Sequence, residues 1–162
     1  MLKYAIPIIY AVRPTMVYEL VRKRINDIIP LNKLLGVEIL SIGDGHAEAR
    51  VPLRSDLMNH IGSAHATLIF GVAEAASGAA MSGALAPSVA DIRPVAAQAQ
   101  ITFLKVARSN LTAKAKVNED TNTLRGKLAE FGKVAFDVSV GVFDDSKNEV
   151  AQVIVNWHVS KK

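Results

Sequence analysis

Glu74 is the one ionisable residue in the helical part of a long apolar stretch, Ala64 to Ala86, that is built mostly of Ala, Gly and Ser. Burial in such surroundings disfavours the charged form and raises a carboxylate's pKa. That suits a general base that activates water, or a nucleophile that forms a mixed anhydride. A structural ion pair is the competing role, but the same stretch supplies no Lys or Arg. Upstream, Ser63 is suited to cap a helix N-terminus. The backbone N–H groups of His65 and Ala66 would then lie unpaired in the first turn, at the positive end of the helix dipole. Two such donors make an oxyanion hole for a carbonyl. Asn59, in the preceding loop, can hold water or a carbonyl through its side-chain amide. An Asn in a loop commonly does no more than stabilise a turn, and only its spacing to Glu74 favours chemistry. Helical spacing sets Thr67, Phe70, Gly71, Ser77, Gly78 and Met81 on the same face as Glu74.

The other polar residues carry weaker signals. His65 reads as a positioning or packing residue, and His60 as an exposed loop residue. His46 and His158 need no function, and Asp91 and Arg93 read as loop contacts. Without cysteine and with dispersed histidines, no metal site is expected. Lys105 and Arg108, and Arg125 and Lys127 around Gly126, are either solvated ends of elements or cations placed to meet phosphates.

The elements that must position these groups follow from periodicity. Val17, Leu20, Val21, Ile25 and Ile28 give one apolar face to a helix over Thr15–Ile29, ended by Pro30. The neighbouring run Arg22-Lys23-Arg24 reads as a solvated face. From Gly36 the period becomes two. Val37–Ile42 and His46–Leu53 form a hairpin through Gly43-Asp44-Gly45, with Pro52 at the end of the second strand. A polar loop, Arg54–Ser63, leads to a helix over His65–Leu85 that Pro87 stops. Strands over Gln98–Val106, Leu111–Asn118, Val134–Phe143 and Val150–Val159 complete the chain. A helix so apolar must be covered on nearly all sides. Its small residues let strands approach closely, and one antiparallel sheet wrapped around it satisfies both demands. The expectation is an α+β domain over residues 36–162 with a helical extension over 1–35.

Composition narrows the class. The chain has 162 residues, no cysteine, 50% hydrophobic and 21% charged residues and a formal net charge of +4. It is long enough for one core and excludes a thiol nucleophile and disulfides. The basic residues are scattered and few aromatics accompany them, which argues against nucleic-acid binding. Met1 to Val12 resembles the start of a signal peptide, but Pro7 interrupts it and no cleavage site follows. A carboxylate near the middle of Ala64–Ala86 argues against a membrane span. A cytoplasmic protein is expected.

The run Asn59-His60-Ile61-Gly62-Ser63-Ala64-His65-Ala66-Thr67, with Glu74 nine residues after His65, resembles the active-site segment of the hotdog-fold thioesterases. The resemblance is to the phenylacetate-pathway and 4-hydroxybenzoyl-CoA branch, including relatives of unassigned function. The strand Ile101-Thr102-Phe103-Leu104-Lys105-Val106-Ala107-Arg108 is similar to that family's third strand and the basic turn after it. The resemblance implies a hotdog fold and hydrolysis of an acyl-CoA to acid and coenzyme A, which enters as substrate and not as cofactor. It implies Glu74, Asn59, His65 and Ala66 as catalytic residues, with Gly62, Thr67, Lys105 and Arg108 against the substrate. It also implies a homodimer, or a dimer of dimers, in which Glu74 of one chain works with Asn59 and Ala66 of the other. This sequence departs from the pattern at three places. Ala66-Thr67 replaces Gly-Gly, the acid is Glu where Asp is more frequent, and Val95-Ala96-Ala97 supplies no assisting hydroxyl. Two alternatives remain open. One is a hotdog dehydratase or hydratase using His60, fourteen residues before Glu74; the other is a non-catalytic acyl-CoA-binding protein.

Overall fold

Pro14 and Pro30 each stand at the first position of a helix, where a missing N–H costs nothing. The computed structural model describes residues 2–162, with side chains from residue 5 onward. Met1 and the side chain of Lys3 lie outside the described residues. The chain opens with three helices, α1 (Leu2–Val12), α2 (Pro14–Ile28) and α3 (Pro30–Leu35). Helix α1 runs through Pro7, so that proline does not break the segment as the sequence suggests. Pro30 ends α2 and at once begins α3. On α2, Val17 and Val21 are buried, while Leu20 and Ile28 of the expected face are about half exposed. Asn26 fastens α2 to the sheet: the Ile39 N–H donates to its Oδ1 at 2.9 Å, and its Nδ2 donates to Ile39 O at 3.1 Å.

The hairpin forms as the sequence indicates. Strands β1 (Glu38–Gly43) and β2 (His46–Val51) meet at the Gly43–His46 pair. The two-residue connection puts Gly45 at φ +72°, a conformation that favours glycine. The remaining strands are β3 (Ile92–Phe103), β4 (Leu111–Val117), β5 (Lys133–Asp144) and β6 (Glu149–Lys161). All pairings are antiparallel, in one six-stranded sheet of order β1-β2-β4-β5-β6-β3.

The sheet wraps helix α4 (Ala66–Ala84), as expected of a hotdog fold. Thirteen of its nineteen residues are buried. The six that are not (Ala66, Thr67, Phe70, Gly71, Glu74 and Gly78) fall on one stripe at helical spacing. Ser77 and Met81, expected on that stripe, are buried instead. Small residues are required where strands cross: a Cβ at Gly83 would overlap the carbonyl oxygen of Gly43.

Two expectations about the second half need correction. Strand β3 begins six residues earlier than expected, at Ile92, and ends at Phe103. It lies at the sheet edge and pairs only with β6, so Pro94 is tolerated, and a register shift between Ala96 and Gln98 disturbs the alternation that sequence reading relies on. The connection after β4 is a helix, α5 (Thr121–Phe131). Its Asp120 cap accepts the Thr123 N–H at 2.8 Å, its buried Leu124 and Leu128 join the core, and Gly132 closes it at φ +68°. Among the described residues, no helix is long and apolar enough to cross a membrane.

Candidate active site

Glu74 lies in the middle of α4, on the stripe that the sheet leaves open. It is half-buried, and among the described residues its carboxylate has no hydrogen-bond or ion-pair partner. Burial alone raises its pKa above the ordinary carboxylate range. It faces a cavity of about 390 Å³ formed by Ile25 and Ile29 near the end of α2, Gly78 of α4, Pro94 and Ala96 of β3 and Trp157 of β6.

The turn carrying Glu74 is locked by a feature that periodicity does not show. Ser77 is fully buried, and its Oγ donates to Glu74 O at 2.7 Å and accepts from Trp157 Nε1 at 3.2 Å. The indole packs against Gly78, where a Cβ would meet it in ordinary van der Waals contact at 3.4 Å. A lone Ser on a helix and a lone Trp in a strand 80 residues later offer no spacing signal that joins them.

The helix start differs from expectation. The cap is His65, not Ser63: the Thr67 N–H donates to the His65 ring Nδ1 at 3.1 Å. The His65 N–H already donates to Leu57 O at 3.1 Å. Of the two donors expected for an oxyanion hole, only the Ala66 N–H is open, on an exposed residue.

Asn59 is engaged by its own loop. Its Oδ1 accepts from the Ile61 N–H, the Ser63 N–H and the Ser63 Oγ, each at 3.1 Å. Its Nδ2 lies 2.9 Å from Ser63 Oγ and 3.4 Å from Ala64 O. This is the turn-stabilising role of a loop Asn, and it fixes the path of the chain into α4. Gly62 supports the same turn at φ +68°, its N–H donating to Asn59 O at 3.0 Å.

Arg108 reaches this loop from the β3–β4 connection. Its Nη1 donates to Ile61 O at 3.2 Å and Gly62 O at 3.3 Å, while the Ala64 N–H donates to Ala107 O at 2.8 Å. The guanidinium thus stands beside the α4 N-terminus with its other nitrogens open. Lys105 points across the β5–β6 turn to Asn148 Oδ1 at 3.4 Å. Thr67 is exposed one residue inside the helix, and His60 is exposed in the loop. Arg125 holds the fold together instead of facing a ligand. Its Nε donates to Ala84 O at the end of α4, and its Nη2 donates to Tyr10 and contacts Asp44. Lys127 pairs with Glu119 at 2.9 Å.

Glu74 and the open Ala66 donor stand well apart along one helix. Eight residues of helix separate them, about 12 Å of axial rise. Side chains lean back toward the helix start, which shortens this separation by up to about one turn.

Comparisons with known proteins agree with this architecture. The model of a family described as a domain of unknown function (DUF4442) matches residues 18–159. No curated protein matches the sequence. Among solved structures, a Pseudomonas aeruginosa protein of unknown function, described as a probable thioesterase, superposes with a TM-score of 0.76 at 22% identity, over 89% of this chain and 95% of its own. The PaaI protein of the Escherichia coli phenylacetic acid degradation operon gives 0.73 at 20% identity, over 89% and 94%. A hypothetical thioesterase protein of Streptococcus pneumoniae, solved with coenzyme A, gives 0.61 at 19% identity, over 78% and 87%. These likenesses establish the hotdog fold.

Proposed function

We propose that this chain, which belongs to the DUF4442 family, is a cytoplasmic acyl-CoA thioesterase that works as a homodimer. The observation that carries the reading is Glu74: an unpartnered, half-buried carboxylate of raised pKa on the open stripe of the central helix. The solved relatives described as thioesterases, one of them with coenzyme A, support the class of substrate.

The chemistry requires a thioester carbonyl at the Ala66 N–H and a water near Glu74. The carboxylate takes a proton from the water as its oxygen attacks the carbonyl carbon, and the Ala66 N–H donates to the oxygen that gains charge. Collapse of the adduct breaks the C–S bond. The thiolate of coenzyme A leaves and recovers the proton from Glu74, giving the free acid and the thiol. Arg108, beside the same helix end, is a cation suited to the phosphates of coenzyme A, with Lys105 further out. Asn59, Gly62 and His65 act as positioning residues for the loop and helix start.

The 12 Å separation of the two groups supports a site shared between chains. So does β3, an edge strand of twelve residues of which ten are exposed. An edge this long invites pairing with another, and β3 also lines the Glu74 cavity through Pro94 and Ala96. The test is thiol release from a panel of acyl-CoAs, aliphatic and aromatic. Wild type should turn over at least one, and Glu74→Ala should lose on the order of 10²–10⁴ of the rate. Equal turnover by the variant would reject the mechanism. One observation favours a second reading, acyl-CoA binding without turnover: the hole keeps a single open donor. Saturable binding of acyl-CoA with no thiol release across the panel would select it.

A further inference from the structure

The charged residues are scattered, but the net positive charge is not. Six of its nineteen Lys and Arg residues and two of its fifteen Asp and Glu residues fall in residues 1–35. The remainder balances at thirteen of each, so the whole formal net charge of +4 belongs to the N-terminal helices. Arg22 is paired with Glu19. Arg13, Lys23, Arg24 and Lys33 have no ion-pair partner among the described residues.

The same helices present apolar side chains to solvent. On α1, Ile8 and Val12 are 69% and 74% exposed, one helical turn apart. On α2, Met16 and Leu20 repeat the spacing at about half exposure, and Lys23 and Arg24 take the next turn. On α3, Leu31 and Leu34 are 58% and 71% exposed. The opposite faces are satisfied, with Ile6, Val17 and Val21 packed around Ala86. These outward residues therefore do not serve the core, and the Glu74 cavity uses only Ile25 and Ile29 from this region.

We infer that the outer face of α1–α3 is a docking surface for an anionic lipid bilayer. Apolar side chains interleaved with unpaired Lys and Arg match the acyl boundary and the charged headgroups of such a surface together. A second copy of the chain fits worse, because two segments of net +4 would face each other. The helices lie on the bilayer, since none described is long and apolar enough to cross it.

Vesicle flotation of the full chain tests this, using phosphatidylcholine alone and phosphatidylcholine mixed with phosphatidylglycerol. Wild type should float with the mixed vesicles, stay behind with phosphatidylcholine alone and be released by high salt. Each basic side chain near an anionic surface contributes about fivefold to partitioning. Arg13→Ser/Lys23→Ser/Arg24→Ser should therefore bind on the order of a hundredfold more weakly. Ile8→Ser/Val12→Ser should also lose binding. A control with the same charge loss elsewhere, Lys114→Ser/Lys116→Ser/Lys147→Ser, should keep most of it. Circular dichroism verifies that each variant is folded, and the salt release of wild type needs no variant. The inference is overturned if wild type ignores mixed vesicles or if the control loses binding equally. It is also overturned if Ile8→Ser/Val12→Ser splits an oligomer in sedimentation velocity without vesicles, which would make a second copy the occupant.

Discussion

Replacing Ser77 with Ala removes one oxygen atom and leaves two groups to find other partners. The Glu74 carbonyl remains inside a helix and keeps its backbone bond. The Trp157 N–H has no such reserve: Trp157 is 6% exposed and Ser77 is fully buried. A buried donor left without an acceptor costs about 1–3 kcal/mol. For a domain of this size that lowers Tm by roughly 2–4 °C per kcal/mol. Ser82→Ala is the matched control. Its Oγ donates only to Gly78 O, at 2.8 Å, so its removal orphans no donor and should cost little. Thermal unfolding measures both. Trp157 is the only tryptophan, so its emission reports the lost hydrogen bond directly. The Ser77 bond also fixes the turn of Glu74, and displacing a base by about 1 Å can cost on the order of a hundredfold in rate. Ser77→Ala should therefore lower kcat while Ser82→Ala does not. Equal stability and equal kcat in the two variants would refute the account of Ser77 as the lock.

Further outcomes follow from the same geometry. Glu74 is held above its ordinary pKa of 4.5 by burial, so its ionisation is easier in the unfolded chain. Its unfavourable contribution is absent below that value and grows as pH rises through the raised folded pKa. Glu74→Gln should match wild type in Tm at acidic pH, gain on it as pH rises from 4.5 through the raised folded pKa, and keep a constant advantage above it; a gap that narrows as pH rises would contradict the burial argument. His65→Ala removes the cap of α4 and should cost about 1 kcal/mol, with His65→Asn restoring most of it in denaturant unfolding.

Much of the fold was legible because α4 and its flanking strands are self-consistent. An apolar helix of small residues demands a wrapping sheet, and Gly43-Asp44-Gly45 marks its hairpin. Helix α5 carries local marks, the Asp120 cap, Leu124 and Leu128 four apart, and Gly132, but it is short and stands between two strand-patterned segments. The start of strand β3 is hidden because an edge strand exposed on both faces has no alternation to read. At the site, the isolation of Glu74 could be read from composition. The identity of the cap, the pairing of the His65 N–H with Leu57 and the closed network of Asn59 could not. Each depends on the exact path of the loop, which Arg108 and Ala107 fix from more than 40 residues away.

Subunit mixing decides whether Glu74 of one chain acts on a carbonyl held at the α4 N-terminus of its partner, as proposed. Glu74→Gln removes the base. Ala66→Pro removes the open N–H while occupying a first helical position that tolerates proline. The preceding His65, at ψ 142°, is already in the conformation a following proline requires. Each variant alone should be nearly inactive, Ala66→Pro by on the order of 10²–10³. Mixed and exchanged, heterodimers combine the intact Glu74 of one chain with the intact Ala66 of the other. An equal mixture should recover about a quarter of wild-type thiol release, since half the dimers carry one working site. No recovery after exchange verified by native mass spectrometry would contradict the shared site.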